Sequence, residues 1–136
     1  MEEIIVQAKI DSLPQVTSFV RDHLEEWGCS MKAAMQIEIA TEEIFVNIAH
    51  YAYEEGDGDA VVRVDFQEDT HSLVLIFEDH GVPFNPLEVD SPDVTVALPE
   101  RKIGGLGIFM TRKYMDDMQY EYKDGKNILT LIKVVS

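Results

Sequence analysis

The chain has 136 residues, 46% of them hydrophobic, which makes one domain of common size with enough apolar material for a real core. Its formal charge of -15, from 26 acids against 11 bases with no dense run of Lys or Arg, argues against direct nucleic-acid binding, and no apolar stretch approaches the roughly 20 residues that span a bilayer. The one cysteine, Cys29, excludes an internal disulfide and a cysteine-rich zinc site, and the acidic opening lacks the basic start of a signal peptide, so the expectation is a soluble, cytoplasmic protein.

The first element in chain order is a loosely alternating strand, Ile4 to Ile10. Asp11 to Pro14 then supplies cap-like residues for a helix that runs to about Trp27 and is closed by Gly28. Ser30 caps a second helix to about Tyr53, roughly six turns long, which the acidic segment Glu54 to Asp59 ends. Strands at Ala60 to Gln67 and Ser72 to Phe77 are separated by a polar turn at hairpin spacing and should pair antiparallel. From Asp79 to Gly105 lie four of the 5 prolines and no long periodic segment, which makes a loop of the length used for lids. A helix over Leu106 to Met118 and two strands, Met118 to Tyr122 and Asn127 to Val135, turning at Lys123 to Gly125, complete the chain. This order predicts one α+β domain over 1–136, a two-layer sandwich with a mixed, mostly antiparallel sheet and its helices on one face.

Three places carry candidate chemistry. Glu43 and Asn47 stand one turn apart in the apolar run Ala40 to Tyr53, with His50 continuing the stripe. The stripe lines a polar cleft or faces solvent, and the residues alone leave both readings open. No second His or Cys stands at ligand spacing from His50, so it is not read as a metal ligand. Asp79 and Gly81 leave a strand directly into a turn, an acceptor beside a point of close backbone approach; alone, this pattern is most often an ordinary turn. Gly104, Gly105, Leu106 and Gly107 end the long loop and begin a helix, an arrangement that either binds an anion or acts as a hinge. Arg101 and Lys102 just before them are scarce positive charges in an acidic chain. Given that acidity, a polyanionic ligand must be held by backbone N–H groups, a helix N-terminus and a divalent cation.

Taken together and in this order, the Glu-x-x-x-Asn helix, the strand-end Asp-x-Gly, the lid and the glycine helix start resemble the GHKL (Bergerat-fold) ATP-binding domain. More narrowly, the chain is similar to the anti-sigma-factor serine kinases, histidine-kinase-like ATPases of the RsbW and SpoIIAB type, over nearly its whole length. The resemblance implies ATP and Mg2+ as ligands, with Asn47 on the metal, Glu43 as general base, Asp79 on the adenine amine, Gly81 giving the base room, and Gly105 to Gly107 around the phosphates. It implies a lid over about 84–104, with His50, Arg101, Gly104 and Leu106 as further nucleotide contacts. It also implies a serine on a STAS-type anti-anti-sigma protein as acceptor, a sigma factor as competing partner, a homodimer, and Arg21 exposed at a partner interface. The chain departs from the family where Pro83 replaces a glycine and where Gly125 is not followed by threonine, so the threonine contact is either absent or supplied by Asn127 or Thr130. A binding switch without kinase activity is the alternative expectation.

Overall fold

The computed structural model describes residues 1–53, 57–88 and 105–135. Most of the expected lid, with Arg101, Lys102 and Gly104, therefore lies outside the described residues, as does the side chain of Leu106.

Strand β1 (Glu2–Gln7) leads through a single 3-10 turn at Ile10–Ser12 into helix α1 (Leu13–Glu26). Pro14 stands in the first turn of α1, where its missing N–H is not needed, and Val16, Val20 and Leu24 recur every fourth residue as its buried stripe. The helix stops at Gly28, whose φ of 63° lies in the left-handed region, while the Cys29 N–H donates back to the Leu24 carbonyl at 3.1 Å. Helix α2 (Met31–Tyr51) starts on Ser30, whose Oγ accepts from the Ala33 N–H at 3.2 Å. Its buried side includes Ile37, Ala40, Ile44 and Phe45, and the buried Thr41 hydroxyl donates to the Ile37 carbonyl at 2.7 Å.

Strands β2 (Asp59–Gln67), β3 (Ser72–Asp79), β4 (Asp117–Lys123) and β5 (Lys126–Val134) complete a five-stranded sheet ordered β1-β2-β3-β5-β4, with helix α3 (Gly105–Tyr114) before β4. Every pairing among these strands is antiparallel, a stricter arrangement than the mixed sheet expected. In the β4–β5 hairpin Lys123 pairs with Lys126 across Asp124 and Gly125, whose φ values of 55° and 77° are those of a type I′ turn.

Alternation decides which residues meet the helices. Ala60, Val62 and Val64 of β2, Leu73, Leu75 and Phe77 of β3, and Leu129 and Leu131 of β5 are buried together with Val16, Val20, Ile37 and Phe45. Burying each such side chain contributes about 1.5–3 kcal/mol, so this layer is the main source of stability. On the opposite face Arg63 crosses three strands, bonding Glu3 Oε2 at 2.8 Å and pairing with Glu78.

Two boundaries differ from expectation by more than two residues. Strand β1 ends at Gln7 rather than Ile10, because residues 10–12 turn into α1. Helix α3 ends at Tyr114 rather than Met118: Met115 is buried and keeps the apolar spacing going, but Asp116 turns the chain, its carboxylate accepting from the Val134 N–H at 2.7 Å.

Candidate functional site

The C-terminal half of α2 and the C-terminal end of β3 form two walls of a cleft of about 430 Å³. Ile44, Asn47, Ile48, His50, Tyr51 and Ala52 come from the helix; Phe77 and Asp79 come from the strand; Val82, Pro83, Phe84 and Pro86 follow it; Tyr120, Asn127 and Leu129 close the far side. The lining is mostly apolar, and Asp79 is its one carboxylate among the described residues. This composition suits a flat heteroaromatic ring held by a few directed polar groups.

Asp79 is the last residue of β3 and faces the helix layer, opposite Ala60 on one side and Asn127 on the other. It is only 6% exposed. Its Oδ1 accepts from the Gly81 N–H at 2.8 Å and from Asn127 Nδ2 at 2.9 Å, while Oδ2 has no hydrogen bond among the described residues. One oxygen is thus fixed by the protein and the other is left as an acceptor for a ligand donor. The glycine at 81 has a packing reason of its own: a Cβ there would overlap the backbone oxygen and carbon of Ala52 at the end of α2. The next N–H, of Val82, donates to that Ala52 oxygen at 2.8 Å, and the His80 N–H donates to the Tyr53 hydroxyl at 2.8 Å. The turn that presents Asp79 is therefore fastened to the helix that presents Asn47. Burial raises the Tyr53 pKa, so its hydroxyl stays protonated and donates to the Asp59 carbonyl at 2.7 Å.

Asn47 is half-buried in the cleft wall, and His50 is exposed at its lip, its ring 5.8 Å from that of Tyr51. Glu43, one turn earlier, is exposed and does not line the cleft; it lies against Gly107 in the first turn of α3. Gly105 and Leu106 open α3, so the glycine-rich segment reaches the side of α2 that bears Glu43. Arg21 is on the surface of α1, with its Nε 2.7 Å from Glu38 Oε1, and this bond raises its pKa further. Cys29 is half-buried, and burial pushes its thiol pKa up, as expected of a packing residue.

The structure separates the two residues that could replace the missing threonine. Asn127 reaches the cleft, but its amide is used within the protein, on Asp79 and on the turn that follows it. Thr130 is paired with Ile76 and Gln119 on the opposite face of the sheet and cannot reach the cleft; three positions along a strand reverse the side-chain direction. Sequence reasoning missed Ile44, Ile48 and Tyr51, which share the Asn47 side of α2 at helical spacing. It also missed Tyr120, which only the pairing of β4 with β5 brings opposite Leu129.

A family model described as the histidine kinase-like ATPase domain matches residues 6–133. The chain belongs to this family. Among relatives, this histidine kinase-like ATPase domain is 30% identical over 136 aligned positions to the serine-protein kinase RsbW of Bacillus mycoides, covering 93% of this chain and 81% of that one. It is 22% identical over 133 positions to the anti-sigma F factor of Clostridium kluyveri, covering 98% of this chain and 91% of the relative. A crystal structure of the RsbU and RsbW domains of Rv1364c from Mycobacterium tuberculosis superposes with a TM-score of 0.69 at 16% identity, covering 99% of this chain and 33% of that chain. That likeness establishes the shared fold of this ATPase domain, and the chain spans about a third of the larger protein.

For a Mg2+ ion the donor set offers the Asn47 side-chain oxygen, and the described residues contain no cluster of three or more His, Cys, Asp or Glu around it. One protein oxygen, with phosphate and water filling the remaining positions, is how Mg2+ is commonly bound, so the residues present fit the ion. No described helix is long and apolar enough to cross a membrane.

Proposed function

We propose that this chain is a Mg-ATP-dependent serine protein kinase that acts as an anti-sigma regulatory factor in the cytoplasm. In this reading it phosphorylates a serine on a STAS-type antagonist and sequesters a sigma factor when the antagonist is unavailable. The observation that carries the nucleotide half is the divided carboxylate of Asp79, with Oδ1 fixed by Gly81 and Asn127 and Oδ2 free among the described residues to accept from the exocyclic amine of adenine. The kinase and anti-sigma half is supported by family membership and by the names of the relatives.

In this reading each residue takes a role that suits its position. The apolar walls of Ile44, Ile48, Phe77 and Leu129 take the base and exclude water from the Asp79 contact. Asn47 would hold Mg2+, which when bound neutralises charge on the triphosphate. Glu43 stands one turn earlier in α2, beyond the cleft lining and open to solvent, where a partner's serine hydroxyl can approach and give up its proton. In this reading the N–H groups at the start of α3 would face the phosphates, which would offset the repulsion expected from a chain of charge -15. Arg21 contacts the partner in this reading, and two copies pair through the outer sheet face, where Ile5 is 61% exposed.

The second reading, a nucleotide-controlled binding switch without transfer, uses the same cleft and leaves Glu43, outside its lining, with no part in chemistry. The two separate on incubation with γ-labelled ATP and STAS proteins of the same genome. Label on a partner serine supports the kinase; nucleotide binding without label on any partner supports the switch.

A further inference from the structure

Five hydrogen bonds converge on the carboxamide of Asn127. The two hydrogens on its Nδ2 serve three acceptors, Asp79 Oδ1 at 2.9 Å, the Val82 carbonyl at 2.9 Å and, by sharing, the Gly81 carbonyl at 3.4 Å. Its Oδ1 accepts from the Phe84 N–H at 3.1 Å and from the Tyr120 hydroxyl. The orientation of the amide is forced: a backbone N–H can only donate, so the atom facing Phe84 is the oxygen and the atom facing Asp79 is the nitrogen. Burial raises the Tyr120 pKa and keeps its hydroxyl a donor to that oxygen. Asn127 is itself only 7% exposed.

We infer that Asn127, braced by Tyr120, is the positioning residue that sets base selectivity, because it holds Asp79 Oδ1 and leaves Oδ2 as a fixed, acceptor-only group. This rests on the ATP reading of the cleft. The terminal torsion of an aspartate is broad, so a carboxylate held by the Gly81 N–H alone can turn and offer either oxygen at a range of angles. With Nδ2 in place it has one orientation, and the turn carbonyls that shape the base site are held by the same nitrogen. A fixed acceptor welcomes an amine on the base and rejects a carbonyl oxygen at the same position, since two acceptors facing each other leave both unsatisfied.

The test is calorimetric titration with Mg-ATP and with Mg-ITP, in which a carbonyl oxygen replaces the amine. Wild type should prefer Mg-ATP by at least about tenfold. Asn127→Leu should bring the ratio of affinities toward one, whereas a purely structural role weakens both nucleotides equally and leaves the ratio unchanged. Asn127→Asp keeps the size and the Phe84 contact but sets a carboxylate against Asp79. Its ratio should be low near pH 8 and recover as the pH falls to about 5, where a shared proton restores the donor, while the wild-type ratio stays flat. A wild-type ratio retained by both variants at every pH overturns the inference alone. A wild type that binds neither nucleotide overturns the ATP reading and the inference with it.

Discussion

The carboxylate of Glu43 occupies the space that a side chain at Gly107 would need: a Cβ there would overlap Oε2 and lie 3.0 Å from the carboxyl carbon. Glycine at 107 thus sets how closely α3 approaches the residue assigned as base. Gly→Ala in a helix ordinarily stabilises by about 0.5–1 kcal/mol. Here the exposed Glu43 carboxylate must swing aside, so Gly107→Ala should yield less than that gain, and the full gain should return when Glu43→Ala is added. Urea unfolding of both single variants and the double variant measures the coupling. Additive effects would mean that the two residues do not touch.

Glu43→Ala should bind Mg-ATP as wild type does, since the carboxylate lies outside the cleft lining, yet lose phosphoryl transfer by about 10²–10⁴-fold. Equal loss of binding and transfer would place Glu43 on the nucleotide instead of on the acceptor's proton.

Gly81→Ala should destabilise the domain by about 1–3 kcal/mol before any ligand is added, because the new methyl meets the Ala52 backbone and not a flexible side chain. The urea midpoint of the ligand-free protein reports it. An unchanged midpoint would assign this glycine to ligand access alone.

Asp79→Asn should invert base preference rather than merely weaken it. The donors of Gly81 and Asn127 require an oxygen at the Oδ1 position, so the new amide nitrogen is directed into the cleft. Mg-ATP affinity should fall and Mg-ITP affinity should rise; competition between the two nucleotides reads both at once. A variant that still favours Mg-ATP contradicts the assignment.

Arg21→Ala should leave Mg-ATP binding and the unfolding midpoint unchanged, because Arg21 is exposed and its side chain bonds to Glu38 at the surface. Capture of a sigma-factor partner should weaken. Retained capture would move the interface elsewhere.

The sequence carried the architecture because its local signals agree with its tertiary ones. Ser30 caps α2, the Val16, Val20, Leu24 stripe is buried, and both hairpins turn where Asp, Gly and His allow left-handed backbone. The end of α3 was harder to read, because Met115 and Met118 keep a helical spacing that only the bond from the Val134 N–H to Asp116 interrupts. Asn47, Asp79 and Asn127 were legible as candidates and do share one cleft. The purposes of the glycines were not, since their neighbours, Ala52 for Gly81 and Glu43 for Gly107, come from other elements. Thr130 was misplaced for a related reason. Which face of β5 meets the helices depends on register, and the burial of Leu129 and Leu131 puts Asn127 inward and Thr130 outward.

The central claim is that the cleft between α2 and the Asp79 turn binds Mg-ATP. Calorimetric titration of the wild-type chain with Mg-ATP, beside Asp79→Asn under the same conditions, tests it most directly. The account predicts saturable binding at one site per chain in the wild type and a loss of at least about tenfold in the variant. No binding up to about millimolar nucleotide, or equal affinity in the two proteins, would contradict it.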